Sequence, residues 1–133
     1  MTALHAVYYR ASDGSQPVDE AISLLPARHQ AVVDAQIGRL NLLSTQQPHL
    51  PFPHSSQVRA ELRELRCHFG SSHYRILYRR SGHLLVLLHF FAKRSRAIPE
   101  AEIAVAQARF ADFRARMDAD PRRPPRAAGQ DAP

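Results

Sequence analysis

The sequence predicts an α+β domain with the element order β-α-α-β-β-β-α, its helices packed on one face of an antiparallel sheet. Two observations carry this. Three consecutive segments, residues 61–69, 72–80 and 84–93, are rich in β-favouring side chains and are joined by short glycine-containing turns. Apolar residues at helical spacing come before and after them, so strands are grouped instead of alternating with helices one by one.

Taken in order, residues 4–10 read as a first strand, with Val7, Tyr8 and Tyr9 as β-favouring side chains. Residues 12–15, Ser-Asp-Gly-Ser, form a turn. Pro17 then starts a short helix to about Leu25, and Asp19 and Glu20 lie in its first turn, where the helix dipole favours anions. Pro26 opens a second helix. Its core-facing stripe is Val33, Ile37 and Leu40, extended at most to Ser44. The two helices form a hairpin. Residues 44–58 hold Pro48, Pro51 and Pro53 among Gln, His and Ser, which predicts a long loop into the sheet.

Gly70-Ser71 and Ser81-Gly82 join the three strands as antiparallel hairpins. Read with a period of two, one parity is mostly apolar: Leu65, Cys67, Phe69, Tyr74, Ile76, Tyr78, Leu84, Val86, Leu88 and Phe90. The other parity brings Arg66, Arg75, His89 and Lys93 to one face. Pro99 stands at the start of the last helix, residues 100–117, whose stripe Ile103, Ala106, Phe110, Phe113 and Met117 reads as packing. Residues 1–117 are expected to form the domain. Residues 118–133, with Pro121, Pro124, Pro125 and Pro133, are expected to be a disordered tail.

At 133 residues the chain suits one domain with a real core. No segment approaches the ~20 apolar residues of a membrane span, and the N-terminus has no secretion pattern. Cys67 is the single cysteine, so no internal disulfide forms, and its apolar parity makes it a small core residue. These points favour the cytoplasm and no membrane partner. Histidine spacing gives no zinc pattern, no acidic cluster suits magnesium, and the five glycines form no phosphate loop. No metal or cofactor is expected.

The net charge of +6 is unevenly placed. Residues 59–96 hold nine cations against Glu61 and Glu64, which leaves the rest of the chain near neutral. Such clustering is the electrostatic footprint of a phosphate-backbone partner. Metal-free cleavage of RNA uses the 2′-hydroxyl as nucleophile, and needs proton transfer and stabilisation of the negative phosphorane. Histidine can move protons near neutrality, and arginine offers a fork that matches phosphate. His89, Lys93, Arg66 and Arg75 include these types. The same pattern also fits a non-catalytic polyanion-binding face or an ordinary solvated or protein-binding surface. His68, His73 and His83 lie near the turns and look less specific.

Four runs occur in order: Glu61-Leu62-Arg63-Glu64-Leu65-Arg66, Tyr74-Arg75-Ile76-Leu77-Tyr78, Leu87-Leu88-His89-Phe90-Phe91-Ala92-Lys93-Arg94 and Ile98-Pro99-Glu100-Ala101-Glu102-Ile103. Together they resemble the HigB branch of the RelE/ParE toxin superfamily, and within it the phage-derived toxin-like proteins. The resemblance spans residues 7–117. It implies a RelE-type fold and the toxin of a type II toxin–antitoxin pair, an mRNA interferase that cuts messenger RNA on the translating ribosome. It further implies neutralisation by a helix-turn-helix antitoxin of HigA type. Arg66 and Arg75 would then hold phosphate, and His89 and Lys93 would transfer protons and stabilise charge. Phe91 would stack on a base or pack, and Arg79, Arg94 and Arg96 would extend the RNA-binding rim. No tyrosine stands beside His89, where some relatives place one, and the superfamily includes gyrase inhibitors that cut no RNA. A non-catalytic toxin or a phage-derived binding protein is therefore the alternative.

Overall fold

A computed structural model of the chain describes residues 2–129 and 132. Its elements are β1 (His5–Tyr8), α1 (Pro17–Ser23), α2 (Ala27–Leu40), β2 (Ser55–Arg59), β3 (Leu62–Phe69), β4 (Ser72–Ser81), β5 (Leu84–Ala92) and α3 (Glu100–Met117). The expected α+β arrangement and order hold, with β2 added inside the segment read as a loop. β2 is Ser-Ser-Gln-Val-Arg, too polar to announce itself. Its turn into β3 uses Ala60 at φ 49 where a glycine would have signalled a hairpin. The other two hairpins do place glycine there, Gly70 at φ 58 and Gly82 at φ 61.

The five strands form one sheet in the order β1-β5-β4-β3-β2. Three neighbouring pairs are antiparallel, whereas β1 runs parallel to β5. The sheet is thus mixed and not purely antiparallel. The helical hairpin carries the chain from β1 to the far edge, and successive hairpins return it until β5 lies beside β1.

The helices cover both faces of the sheet, not one as expected. On the first face, Val18 and Ile22 of α1 and Val33 and Leu40 of α2 pack with Leu65, Cys67, Ile76, Tyr78, Leu85 and Leu87. On the second, Ile103, Ala106, Phe110 and Phe113 of α3 pack with Leu62, Leu77, Leu84, Val86 and Leu88. The unbroken run Leu84-Leu85-Val86-Leu87-Leu88 is buried throughout, the pattern of a strand covered on both sides. Each such side chain contributes roughly 1.5–3 kcal/mol on burial, so two covered faces outweigh one.

Register also departs from strict alternation. Leu77 pairs with His89 but Tyr78 pairs with Leu87, so Leu88 is an extra residue on β5. This bulge turns both Leu88 and His89 toward α3. It puts Leu84, Val86 and Leu88 on the α3 face and Phe90 on the other, where uniform alternation placed all four together.

Cys67 is fully buried on the α1/α2 face, and burial pushes its thiol up to about 12, which suits an inert core residue. Ser44 lies beyond α2 and bridges Ala3. Among the described residues after α3 there is no further helix or strand, yet the chain returns to β1. Arg10 donates to the Ala127 carbonyl, Gly129 donates to the Tyr8 carbonyl, and Ala127 and Ala128 are buried. Of the tail expected to be disordered, residues 130, 131 and 133 lie outside the described residues. Among the described residues, no helix is long and apolar enough to cross a membrane.

Candidate functional site

Beyond the first turn of α3, its face of the sheet becomes polar. Cross-strand register sets out the side chains in rows. Glu64, Leu77 and His89 form one row, and Arg66, Arg75 and Phe91 the next. His68 opposes His73 in a third, and the Lys93 amide donates to the His73 carbonyl at its end. Four predicted residues, Arg66, Arg75, His89 and Lys93, therefore share one face with Phe91.

Arg66 and Arg75 are direct cross-strand partners, an arrangement that like charges alone would oppose. A residue the sequence reading passed over offsets it. Glu64 Oε1 lies 2.9 Å from Arg75 Nε, and both side chains are buried. Burial pulls the Arg75 guanidinium below its usual range, Glu64 works against this, and Arg66 adds to it. Glu64 has the same period-two parity as Arg66, so its position was readable. Arg75 also donates to the Tyr74 carbonyl at 3.0 Å. It is thus a buried, paired cation beneath the surface and not an open phosphate fork.

Arg66 is the more available one. Its guanidinium lies 4.8 Å from the Phe52 ring, and its Nε is buried without a hydrogen-bond partner. Lys93 is half-buried, and its ammonium is shifted down by burial, then by Arg75 and Arg66, with Glu64 opposing. His68 is exposed, 3.4 Å from Arg75 through Nε2, and its ring centroid is 4.5 Å from that of His73. Partial desolvation by its neighbours, then the charges of His73, Arg75, Arg66 and Lys93, lower its pKa. His68 belongs to this group, although its place near a turn made it look unspecific. Its parity with Arg66 was the signal.

His89 is held by α3. Its Nε2 is 3.0 Å from Glu102 Oε2, and Arg109 approaches its Nδ1 at 3.3 Å. Arginine can only donate, so Nδ1 accepts and Nε2 carries the proton that it donates to Glu102. The contacts specify a neutral imidazole in one tautomer. Burial lowers the His89 pKa, Glu102 raises it, and Arg109 lowers it further. The ring stacks on Phe91 with centroids 5.7 Å apart and 23° between planes. Neither Glu102 nor Arg109 stood out in the sequence. Both face the sheet from a helix whose apolar stripe drew attention elsewhere.

The rim is only partly as expected. Arg94 and Arg96 are exposed in the segment between β5 and α3, and Arg94 lines a 240 Å³ recess with Phe91, Lys93 and Glu102. Arg79 is separate. Four residues along β4 from Arg75, it lies over the Phe110 ring at 4.3 Å and pairs with Glu61 at 3.0 Å. No group of His, Cys, Asp or Glu suited to a metal occurs among the described residues. What the face offers chemically is cationic side chains for phosphate, imidazoles with lowered pKa values, and an aromatic ring beside them.

The family model described as Phage derived protein Gp49-like (DUF891) matches residues 20–111, a stretch that runs from α1 into α3 and includes Arg66, Arg75, His89 and Lys93. No curated protein matches the chain. Since well over half of its length fits that family, the protein belongs to the Gp49-like phage-derived proteins, a toxin-like family of the RelE/ParE superfamily.

Proposed function

We propose that the protein is the toxin of a type II toxin–antitoxin pair of HigB type, and that it cuts messenger RNA on the ribosome without a metal. Its partner would be a helix-turn-helix antitoxin of HigA type that covers the cationic face. The carrying observation is the convergence of Arg66, Arg75, Lys93, His68 and His89 with Phe91 on one face. In this reading Arg66 and Lys93 take the scissile phosphate, while Arg75 holds positive charge beneath them. Phe91 offers its ring to a base. The 2′-oxygen attacks phosphorus, the bond to the 5′-oxygen breaks, and a 2′,3′-cyclic phosphate and a free 5′-hydroxyl result. His89 exchanges protons once Glu102 yields its Nε2 edge to the substrate. Arg94 and Arg96 bind flanking backbone, and their share of affinity falls with salt.

A second reading has its own support. Both ring nitrogens of His89 are engaged by α3, which suits a face that holds a polyanion without cutting it. A gyrase-type inhibitor or a nucleic-acid-binding regulator would use the face in that way. Induced expression followed by sequencing of message ends separates the two readings. New ends within translated messages support cutting, and growth arrest with intact messages supports binding alone.

A further inference from the structure

The opposite face of the sheet carries a second cationic recess. A cleft of about 540 Å³ lies between the β2–β3 turn, the start of β5 and the loop after α2. Its floor is Tyr78 and Leu85, both buried, and Arg63, Arg80 and His49 line it. Register fixes the side: Arg63 pairs with Tyr78, and Arg80 with Leu85, whose side chains belong to the α1/α2 core. The His89 face is therefore on the other side of the sheet.

The two arginines are anchored by one edge each. Arg63 Nε donates to Ser55 Oγ at 3.3 Å, and that hydroxyl is 2.7 Å from Tyr78 Oη at a buried position. Arg80 Nε donates to the Gly82 carbonyl at 2.7 Å. Among the described residues neither guanidinium is in an ion pair, so their outer nitrogens are open. Glu61, also on the rim, is already paired with Arg79. Burial, then Arg63 and Arg80, lower the His49 pKa, so near neutral pH this ring is an uncharged stacking or hydrogen-bonding group. Two arginine forks lining one cleft over an aromatic and aliphatic floor suit a phosphate with a compact organic body. The volume lies within the usual range of about 300–1,000 Å³ for small-ligand sites.

We propose that this cleft is a second anion site that binds a nucleotide phosphate, held by Arg63 and Arg80, with the nucleoside against Pro48, Tyr78 and Leu85. The nucleotide is either a free mononucleotide or one residue of an RNA strand. The site stands apart from the cleavage reading, and either can fail without the other.

Amide chemical-shift mapping of the full chain tests it, with AMP and with a short 2′-O-methyl RNA as separate probes. Saturable shifts at Gln57, Arg63, Arg80 and Gly82 are expected, weakened at least tenfold in Arg63→Ala and in Arg80→Ala. Arg80 is exposed, so its replacement leaves the core in place. A response to AMP identifies the free nucleotide as sufficient, and a response to the RNA alone identifies the strand. The proposal is overturned if neither probe shifts these amides, if shifts are confined to Arg66, Arg75 and Phe91, or if both variants bind as the wild type does.

Discussion

Glu102, in the first turn of α3, meets His89 of β5 at 3.0 Å and thereby fixes which imidazole nitrogen carries the proton. Arg109, two turns further along α3, closes the other nitrogen. The catalytic candidate with the strongest motif support is therefore clamped by a helix, and access to it depends on how firmly that helix holds.

The clamp gives His89 a definite titration. Burial and Arg109 lower its pKa, and Glu102 opposes them, so NMR should find it below the usual 6.5. Glu102→Gln should lower it further, and Arg109→Met should raise it. A group whose folded pKa is depressed is protonated more readily in the unfolded chain. The stability it contributes is full above about pH 6.5 and is lost as pH falls through the folded value. Urea midpoints should therefore drop less on acidification in His89→Gln than in the wild type. A wild-type His89 titrating above 6.5 would show that the clamp is misread.

The buried pair Arg75–Glu64 sets a stability prediction. Glu64→Gln leaves a guanidinium buried without its counter-charge, which should cost about 3–5 kcal/mol in denaturant unfolding. The double variant Glu64→Leu/Arg75→Met should cost clearly less than Glu64→Gln alone, because no charge is then left unpaired. Equal losses in the single and double variants would mean that the unpaired Arg75 charge is not the source of the cost.

Much of this arrangement was legible in the sequence. α3 was read at its observed bounds because a stripe of two phenylalanines, Ile103 and Ala106 repeats at helical spacing. The shared face of Arg66, Arg75, His89 and Lys93 followed from period-two parity. For His89 the parity argument succeeded because, beyond the bulge at Leu88, the distal half of β5 pairs Leu77 with His89 and Arg75 with Phe91, and the bulge shifts only the proximal half by one residue. The proximal half went wrong for the same reason, as Leu84, Val86 and Leu88 face α3. β2 was hidden by its polar residues and its alanine turn. Glu64 and His68 share the parity of Arg66 and were readable, whereas Glu102 and Arg109 join the site only through the way α3 packs on β5, which no spacing announces.

The alanine turn is itself testable. Ala60 adopts φ 49, a left-handed conformation that costs an L-residue roughly 1–2 kcal/mol, whereas glycine adopts it freely. Glycine's greater freedom in the unfolded chain offsets part of this relief. Ala60→Gly should raise the denaturation midpoint by a modest amount, about 0.5–1 kcal/mol, without altering the site. A clear loss of stability would contradict the hairpin assigned to β2 and β3.

RNA cleavage by the face formed by Arg66, Arg75, His89 and Lys93 is the proposal on which the functional reading depends. Its most direct test is incubation of the purified protein, stripped of metal with EDTA and desalted, with an RNA oligonucleotide and separately with messenger RNA on programmed ribosomes. The ribosome-bound message should be cleaved, leaving 2′,3′-cyclic phosphate ends, and the rate should fall at least a hundredfold in folded His89→Ala and Lys93→Ala. Intact messages with the wild-type protein, or undiminished cleavage by both variants, would contradict it.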